Sequence, residues 1–145
     1  MTNLTFDDYN FEVINIENSK ENLLTINKNM MTFDRSIAEC LKYASHIRPL
    51  LDKENKVFAI QVCRSVASKS VAFSKPESKQ KGSVKIQSVA IRNAVRMLMK
   101  DLWKEDMRYQ LEGKFIEDHK AFIFDLTNYK ELPPFKIERK VLDRE

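Results

Sequence analysis

The chain of 145 residues contains only two glycines, Gly82 and Gly113. Loops that hold phosphate groups through backbone amides need several glycines, because side chains would prevent the close approach of the ligand. The glycine content therefore excludes nucleotide sites of the Walker and Rossmann types.

Cysteine and histidine are equally scarce, with two of each. Cys40 and Cys63 lie far apart within apolar stretches, which is typical of reduced, buried thiols. Neither His46 nor His119 has a second ligand at a metal-binding spacing, and neither cysteine belongs to a CxxC pair. The sequence is compatible with a Cys–His nucleophile pair, but nothing favours it over ordinary packing. We therefore expect no enzyme, no cofactor, no metal site and no small-molecule substrate.

Long apolar runs are missing as well, so no segment is suited to span a bilayer and we expect no membrane partner. The first residues, MTNLTFDDYN, are acidic and lack the apolar centre of a signal peptide. Hydrophobic residues make up 43% of the chain and charged residues 32%, as in ordinary globular proteins. A chain of this length can bury a core without disulfides. We expect one cytoplasmic domain over residues 1–145.

Positive charge is present, and it is concentrated in one region. Residues 64–100 contain nine basic residues and one acid, Glu77, which gives a net charge of +8. Residues 1–34 contain six acids and two lysines, which gives −4, and the whole chain carries +4. This segregation indicates that one part of the surface presents a positive field.

Alternation of apolar and polar residues predicts short strands in the first half of the chain. The candidates are residues 11–16, 23–33, 46–51, 57–63 and 70–73. Asp34 is a suitable N-cap for a helix from Arg35 to about Ala44, because its carboxylate can accept hydrogen bonds from the free amides there. Residues 74–83 lack large apolar side chains and predict a solvated, mobile basic loop.

The second half predicts the same order of elements. A strand at 83–86 precedes a helix capped by Ser88, and the helix carries an apolar stripe formed by Ile91, Val95, Leu98 and Leu102. A hairpin of residues 107–111 and 121–126 follows, with Gly113 at a bulge. Residues 129–145, which include Pro133 and Pro134, predict a tail that packs on the surface or on a partner.

The two predicted hairpins align without a gap, Lys56–Val62 with Lys120–Leu126. Each hairpin follows a strand and a capped helix, which favours two strand-helix-strand-strand repeats at about 23–63 and 83–126. Such a unit cannot bury both its sheet and its helix alone, so we expect an α+β domain in which the repeats close about a pseudo-two-fold axis. The result would be antiparallel sheets or a small barrel.

In this order of elements the chain resembles the swapped-hairpin barrels of the AbrB and MraZ transcription-factor families. The segments TFDRSIAECL and IRPLLDKENKVFAIQV carry the resemblance, which covers roughly residues 23–126. The glycine usual between helix and hairpin and the Asp-x-x-x-Arg signature of MraZ-like proteins are missing, so no family binding residue is carried over. The TATA-binding-protein-like saddle is a second architecture built from a duplicated unit. Both resemblances imply a DNA-binding regulator.

The candidate binding residues come from charge and spacing alone. Arg92, Arg96 and Lys100 recur every four residues along one side of the second helix. The preceding segment adds further cations, Lys75, Lys79, Lys81 and Lys85. Clustered like charges repel one another, and a polyanion would relieve that repulsion. We therefore predict a nucleic-acid partner, most simply double-stranded DNA. Asn93 and Gln87 are the nearby candidates for contacts with bases.

The sequence leaves two alternatives open. Trp103 and Tyr109 are suited to stack on bases, although an aromatic residue at the end of an amphipathic helix more often seals the core. The proline-containing tail and the methionines Met30, Met31, Met97 and Met99 are also typical of an interaction module that binds an acidic partner or forms a homodimer.

Overall fold

The computed structural model describes Asn10 and residues 21–134, which form eight β-strands and two α-helices. The strands are β1 Leu23–Ile26, β2 Met31–Phe33, β3 His46–Asp52, β4 Val57–Val62, β5 Val71–Ala72, β6 Val84–Ile86, β7 Arg108–Ile116 and β8 Ala121–Leu132. The helices are α1 Arg35–Cys40 and α2 Val89–Leu98, and Glu117–His119 forms a 3-10 turn. The predicted strand at 11–16 and residues 135–145 of the predicted tail lie outside the described residues.

All eight strands belong to one antiparallel sheet in the order β5-β3-β4-β8-β7-β1-β2-β6. The sheet curls into a half-barrel, and the two helices complete a small domain, so the predicted α+β class is confirmed. Strands β3 and β4 form hairpin one, and strands β7 and β8 form hairpin two. The two hairpins meet at the centre of the sheet, where β4 pairs with β8.

The core consists of side chains on the inner face of this sheet. Phe58 and Ile60 of β4 are buried, as their alternation with Val57 and Ala59 predicts. Phe124 of β8 lies among three other aromatic rings, those of Phe33, Phe58 and Phe122, at centroid distances of 6.0–6.1 Å. These contacts join both hairpins and β2 into one hydrophobic cluster.

Three predictions in the first half of the chain need correction. Residues 23–33 form two strands, because Asn27 makes a turn in which its Oδ1 accepts hydrogen bonds from the amides of Asn29 and Met30. Helix α1 ends at Cys40 and does not reach Ala44, since Lys42 and Tyr43 adopt left-handed backbone conformations. Asp34 does occupy the N-cap position, but its carboxylate accepts from the amide of Leu23 at 3.0 Å.

The predictions in the second half are partly confirmed and partly corrected. Ser88 caps α2 as expected, and its Oγ accepts from the amide of Ile91. The helix ends at Leu98, so Leu102 leaves the predicted stripe and is 52% exposed. Gly113 lies at a register shift between β7 and β8, as expected for a bulge. Strand β8 continues to Leu132, so the first residues of the predicted tail belong to the sheet.

Candidate nucleic-acid interface

The basic loop at residues 74–83 contains two buried residues, Ser74 and Gln80, and Gln80 makes most of the loop's internal hydrogen bonds. Its Oε1 accepts a hydrogen bond from the amide of Lys75 at 2.9 Å, and its Nε2 donates to the carbonyl oxygens of Gly82 and Ser83. Arg35 of α1 also donates to the backbone oxygen of Gln80 at 2.9 Å. Most residues of the predicted solvated loop are exposed, but Ser74 and Gln80 are buried, and Gln80 links the end of β5 to the start of β6.

The lysines of this region point to solvent. All five predicted lysines have exposed side chains, namely Lys75, Lys79, Lys81, Lys85 and Lys100. Within residues 21–134, none of these five lysines forms an ion pair. Their positive charge is therefore available to an external anion.

The two predicted arginines of α2 have a different environment, because both are partly buried and serve the fold. Arg92 donates to the carbonyl oxygen of Lys28 in the β1–β2 turn. Arg96 donates to the carbonyl oxygens of Lys104 and Met107, each at 3.3 Å. These bonds tie α2 to the β1–β2 turn and to the segment before β7.

Burial also affects the electrostatics of Arg96. Desolvation lowers the pKa of Arg96 below its ordinary value, because burial disfavours the charged form. In residues 21–134 the Nε atoms of Arg92 and Arg96 are buried and lack a hydrogen-bond partner. The three regularly spaced residues therefore differ in environment. Arg92 and Arg96 are partly buried and bond to the backbone, whereas Lys100 is exposed.

A groove of about 420 Å³ runs beside the C-terminal half of α2. It is lined by Asn93, Arg96, Met97, Lys100, Trp103 and Glu105. The groove brings Arg96 and Lys100 together with Asn93, one of the two residues predicted to contact bases. Gln87, the other, is exposed before α2 and does not line it.

Base stacking on Trp103 is not supported by its environment. The ring is only 6% exposed and stacks on Tyr109 with centroids 4.4 Å apart. Tyr109 is fully buried, and its hydroxyl accepts from the amide of Lys104 and donates to Glu131 at 2.9 Å. Both aromatic residues therefore seal the core.

The features that suggested an interaction module are divided between core and surface. Met31 and Met99 are buried, whereas Met97 is 65% exposed. Exposed apolar side chains also occur on the outer side of the sheet, where Leu50 pairs with Ala59 and Ala59 pairs with Ile123. This row is short and lies at the junction of the two hairpins.

Several other kinds of site can be assessed for the described part of the chain. Residues 21–134 contain no cluster of three or more potential metal ligands, and no helix there is long and apolar enough to cross a membrane. Cys40 and Cys63 are half-buried and form no disulfide. Comparison with protein-family models, curated protein sequences and solved structures finds no match to this chain.

Three features of this region have no local signal in the sequence. Gln80 is one polar residue among many in its loop, and its burial depends on the strands on either side. The contact between Arg92 and Lys28 joins distant parts of the chain, and local spacing carries no information about it. The exposure of Leu102 depends on where α2 ends.

Proposed function

We propose that this protein binds nucleic acid, most simply double-stranded DNA, without catalysing a reaction. The observation that carries the proposal is the set of exposed lysines at residues 75–85, together with Lys100, none of which forms an ion pair within residues 21–134. Contacts from flexible lysine side chains to phosphates release condensed counterions and supply affinity without reading sequence. The partly buried Arg92 and Arg96 contribute by holding α2 in place.

We also infer that the domain contains two copies of one unit, related by a pseudo-two-fold axis. The alignment of Lys56–Val62 with Lys120–Leu126 makes Ala59 equivalent to Ile123, and these two residues pair where β4 meets β8. On either side, Phe58 pairs with Phe124 and Ile60 with Phe122. This reciprocal register is the one that a two-fold axis midway between Ala59 and Ile123 would produce.

Hydrogen bonds between the hairpins support the same relation. The amide of Val62 donates to the carbonyl oxygen of Lys120, and the amide of Leu126 donates to that of Lys56, both at 3.0 Å. The alignment makes Val62 equivalent to Leu126 and Lys56 equivalent to Lys120, so each bond is the counterpart of the other. Lys56 and Lys120 also share a left-handed conformation, with φ of 56° and 50°, which is uncommon for a residue with a side chain.

Strand neighbours follow the duplication beyond the hairpins. Strands β1 and β2 would correspond to β5 and β6, and hairpin one to hairpin two. Under this correspondence the β1–β7 pair matches the β5–β3 pair, and β2 and β6 pair with each other. The groove beside α2 is bordered by hairpin one, and the groove beside α1 is bordered by hairpin two and by Val62 of hairpin one. We propose a swapped-hairpin arrangement of the two copies on this basis.

A salt series with a labelled DNA duplex tests the binding proposal. Fluorescence anisotropy should give a dissociation constant that rises with salt concentration, with a contribution to the logarithmic slope of about 0.9 for each phosphate that is neutralised. Contacts from the five lysines would therefore produce a slope of about 4 to 5. A protein that does not bind the duplex even at low ionic strength would contradict the proposal, and binding of single-stranded RNA alone would change the partner.

An interaction module that binds an acidic protein partner or a second copy of the chain is the second candidate. The exposed apolar residues Leu50, Ile123 and Met97 favour it, because such side chains often mark an interface. Sedimentation of the purified protein would show a concentration-dependent dimer if the partner is a second copy.

A further inference from the structure

The largest difference between the two helix–hairpin contacts is the space that they leave open. Helix α2 lies against hairpin one, and the groove between them, bordered by Leu51, Phe58, Ile91 and Val95 among others, has a volume of about 190 Å³. The corresponding space beside α1 and hairpin two has a volume of about 610 Å³. That volume lies within the range of roughly 300–1,000 Å³ that is typical of small-ligand sites.

The helix beside the larger cavity is the shorter of the two. Helix α1 ends at Cys40, and the chain then turns away through Lys42 and Tyr43, both in left-handed conformations. Beside α2, the smaller groove is bordered by helical residues that include Ile91 and Val95. Beside α1, the cavity is bordered by Cys40 and by residues that follow the end of the helix, Leu41, Lys42 and Ala44.

The lining of this cavity combines an apolar wall with a cationic rim. The wall consists of five side chains, Cys40, Leu41, Ala44, Val62 and Phe115. The charged residues are Lys42, Glu117 and Lys120, which give a net charge of +1, and all three are exposed. Within residues 21–134 neither lysine forms an ion pair with Glu117 or with any other carboxylate.

We propose that this cavity binds a medium-chain alkyl carboxylate, with the alkyl chain against Val62 and Phe115 and the carboxylate between Lys42 and Lys120. A single negative charge matches the net charge of the rim, and an unbranched alkyl chain matches the mainly apolar wall. The site is separate from the lysine loop, and its assignment is independent of nucleic-acid binding.

Calorimetric titration with decanoate, below its micelle concentration, tests the proposal on the full chain. We expect saturable one-to-one binding, about tenfold weaker binding of octanoate because two methylene groups leave the apolar wall, and weaker binding of the uncharged 1-decanol. In ¹⁵N-resolved NMR spectra, the amide shifts should be largest at Ala44, Val62 and Phe115. Decanoate that gives no saturable signal, or 1-decanol that binds as tightly as decanoate, would overturn the assignment.

A pair of charge-matched variants tests the role of the rim. Lys42→Gln combined with Lys120→Gln should weaken decanoate binding about tenfold, as expected for the loss of charge-assisted hydrogen bonds. The control is Lys53→Gln combined with Lys56→Gln, which removes the same charge from the turn of hairpin one, outside the cavity. An equal loss in the control would show a general charge effect and contradict the proposed site. The wild-type NMR shifts still decide the matter if either variant fails to fold.

Discussion

The two halves of the domain differ most in the connection before the strand that leads into each helix. This connection joins β1 to β2 in the first half and β5 to β6 in the second. Between β1 and β2 the chain turns through residues 27–30, and Asn27 organises that turn with two short hydrogen bonds to backbone amides. Between β5 and β6 it passes through the much longer loop of residues 74–83, organised by Gln80. Strands β1 and β2 pair directly, whereas the side-chain amide of Gln80 links the segments that follow β5 and precede β6.

We propose that this difference places the binding function in one half of the duplicated scaffold. The tight turn between β1 and β2 contains a single lysine, Lys28, whose carbonyl oxygen serves as an anchor for Arg92. The long loop carries Lys75, Lys79 and Lys81 on a folded frame. We infer that the first half supplies rigidity and the second half supplies exposed charge.

The bulge of hairpin two, which hairpin one lacks, gives the largest expected effect on stability. A Cβ atom at Gly113 would lie 2.6 Å from Cε1 of Phe124 and 2.9 Å from Cδ1 of Phe122, so the Gly113→Ala variant should lose about 2–3 kcal/mol in the free energy of unfolding. Gly82→Ala in the basic loop is the matched control, because nothing lies within 4 Å of its Cβ position and the change should be small. Urea denaturation of both variants measures this difference, and equal losses would contradict the packing described for hairpin two.

The two connections can be compared directly with alanine variants. Gln80→Ala leaves the amide of Lys75 without its side-chain acceptor and should lower the free energy of unfolding by about 1–2 kcal/mol. Asn27→Ala in the tight turn should lower the free energy of unfolding by about 1 kcal/mol. This loss is smaller because water can reach the exposed turn and replace the lost acceptor. Hydrogen exchange should accelerate in β5 and β6 for the first variant and in β1 and β2 for the second. Unchanged exchange in β5 and β6 would show that Gln80 does not hold them together.

The smallest expected effect is an alkaline pH dependence that arises from Tyr109 in the second half. Burial is the main cause of the raised pKa of Tyr109, and the hydrogen bond to Glu131 raises it further. The folded state therefore retains the phenolic proton at a pH where the unfolded state loses it. This contribution to stability is complete below the unfolded pKa of about 10 and is lost as the pH rises through the folded value. Unfolding midpoints between pH 8 and 11 should fall less for Tyr109→Phe than for the wild type, and parallel curves would contradict this assignment.

Much of the fold could be predicted from local sequence patterns, since β3, β4 and β6 and the start of α2 all follow alternation or capping. The ends of elements were harder to predict, because they depend on distant contacts. Asp34 bonds to the amide of Leu23 on β1, and the left-handed Lys42 and Tyr43 end α1 early. The five lysines predicted from the sequence are exposed, but their pattern gave no sign that Arg92 and Arg96 bond to backbone oxygens of the fold. Sequence periodicity places charge on a face and does not show which backbone oxygens lie nearby.

We propose that the lysines of the second half, and not positive charge in general, bind nucleic acid. The most direct measurement compares duplex affinity for two quadruple Lys→Gln variants that have the same net charge. One changes Lys75, Lys79, Lys81 and Lys85, and the other changes Lys28, Lys42, Lys53 and Lys56 of the first half. We predict that the first variant loses at least about tenfold in affinity at moderate salt and has a shallower salt dependence, while the second changes by less than about threefold. Equal losses in the two variants would contradict this assignment of the binding surface.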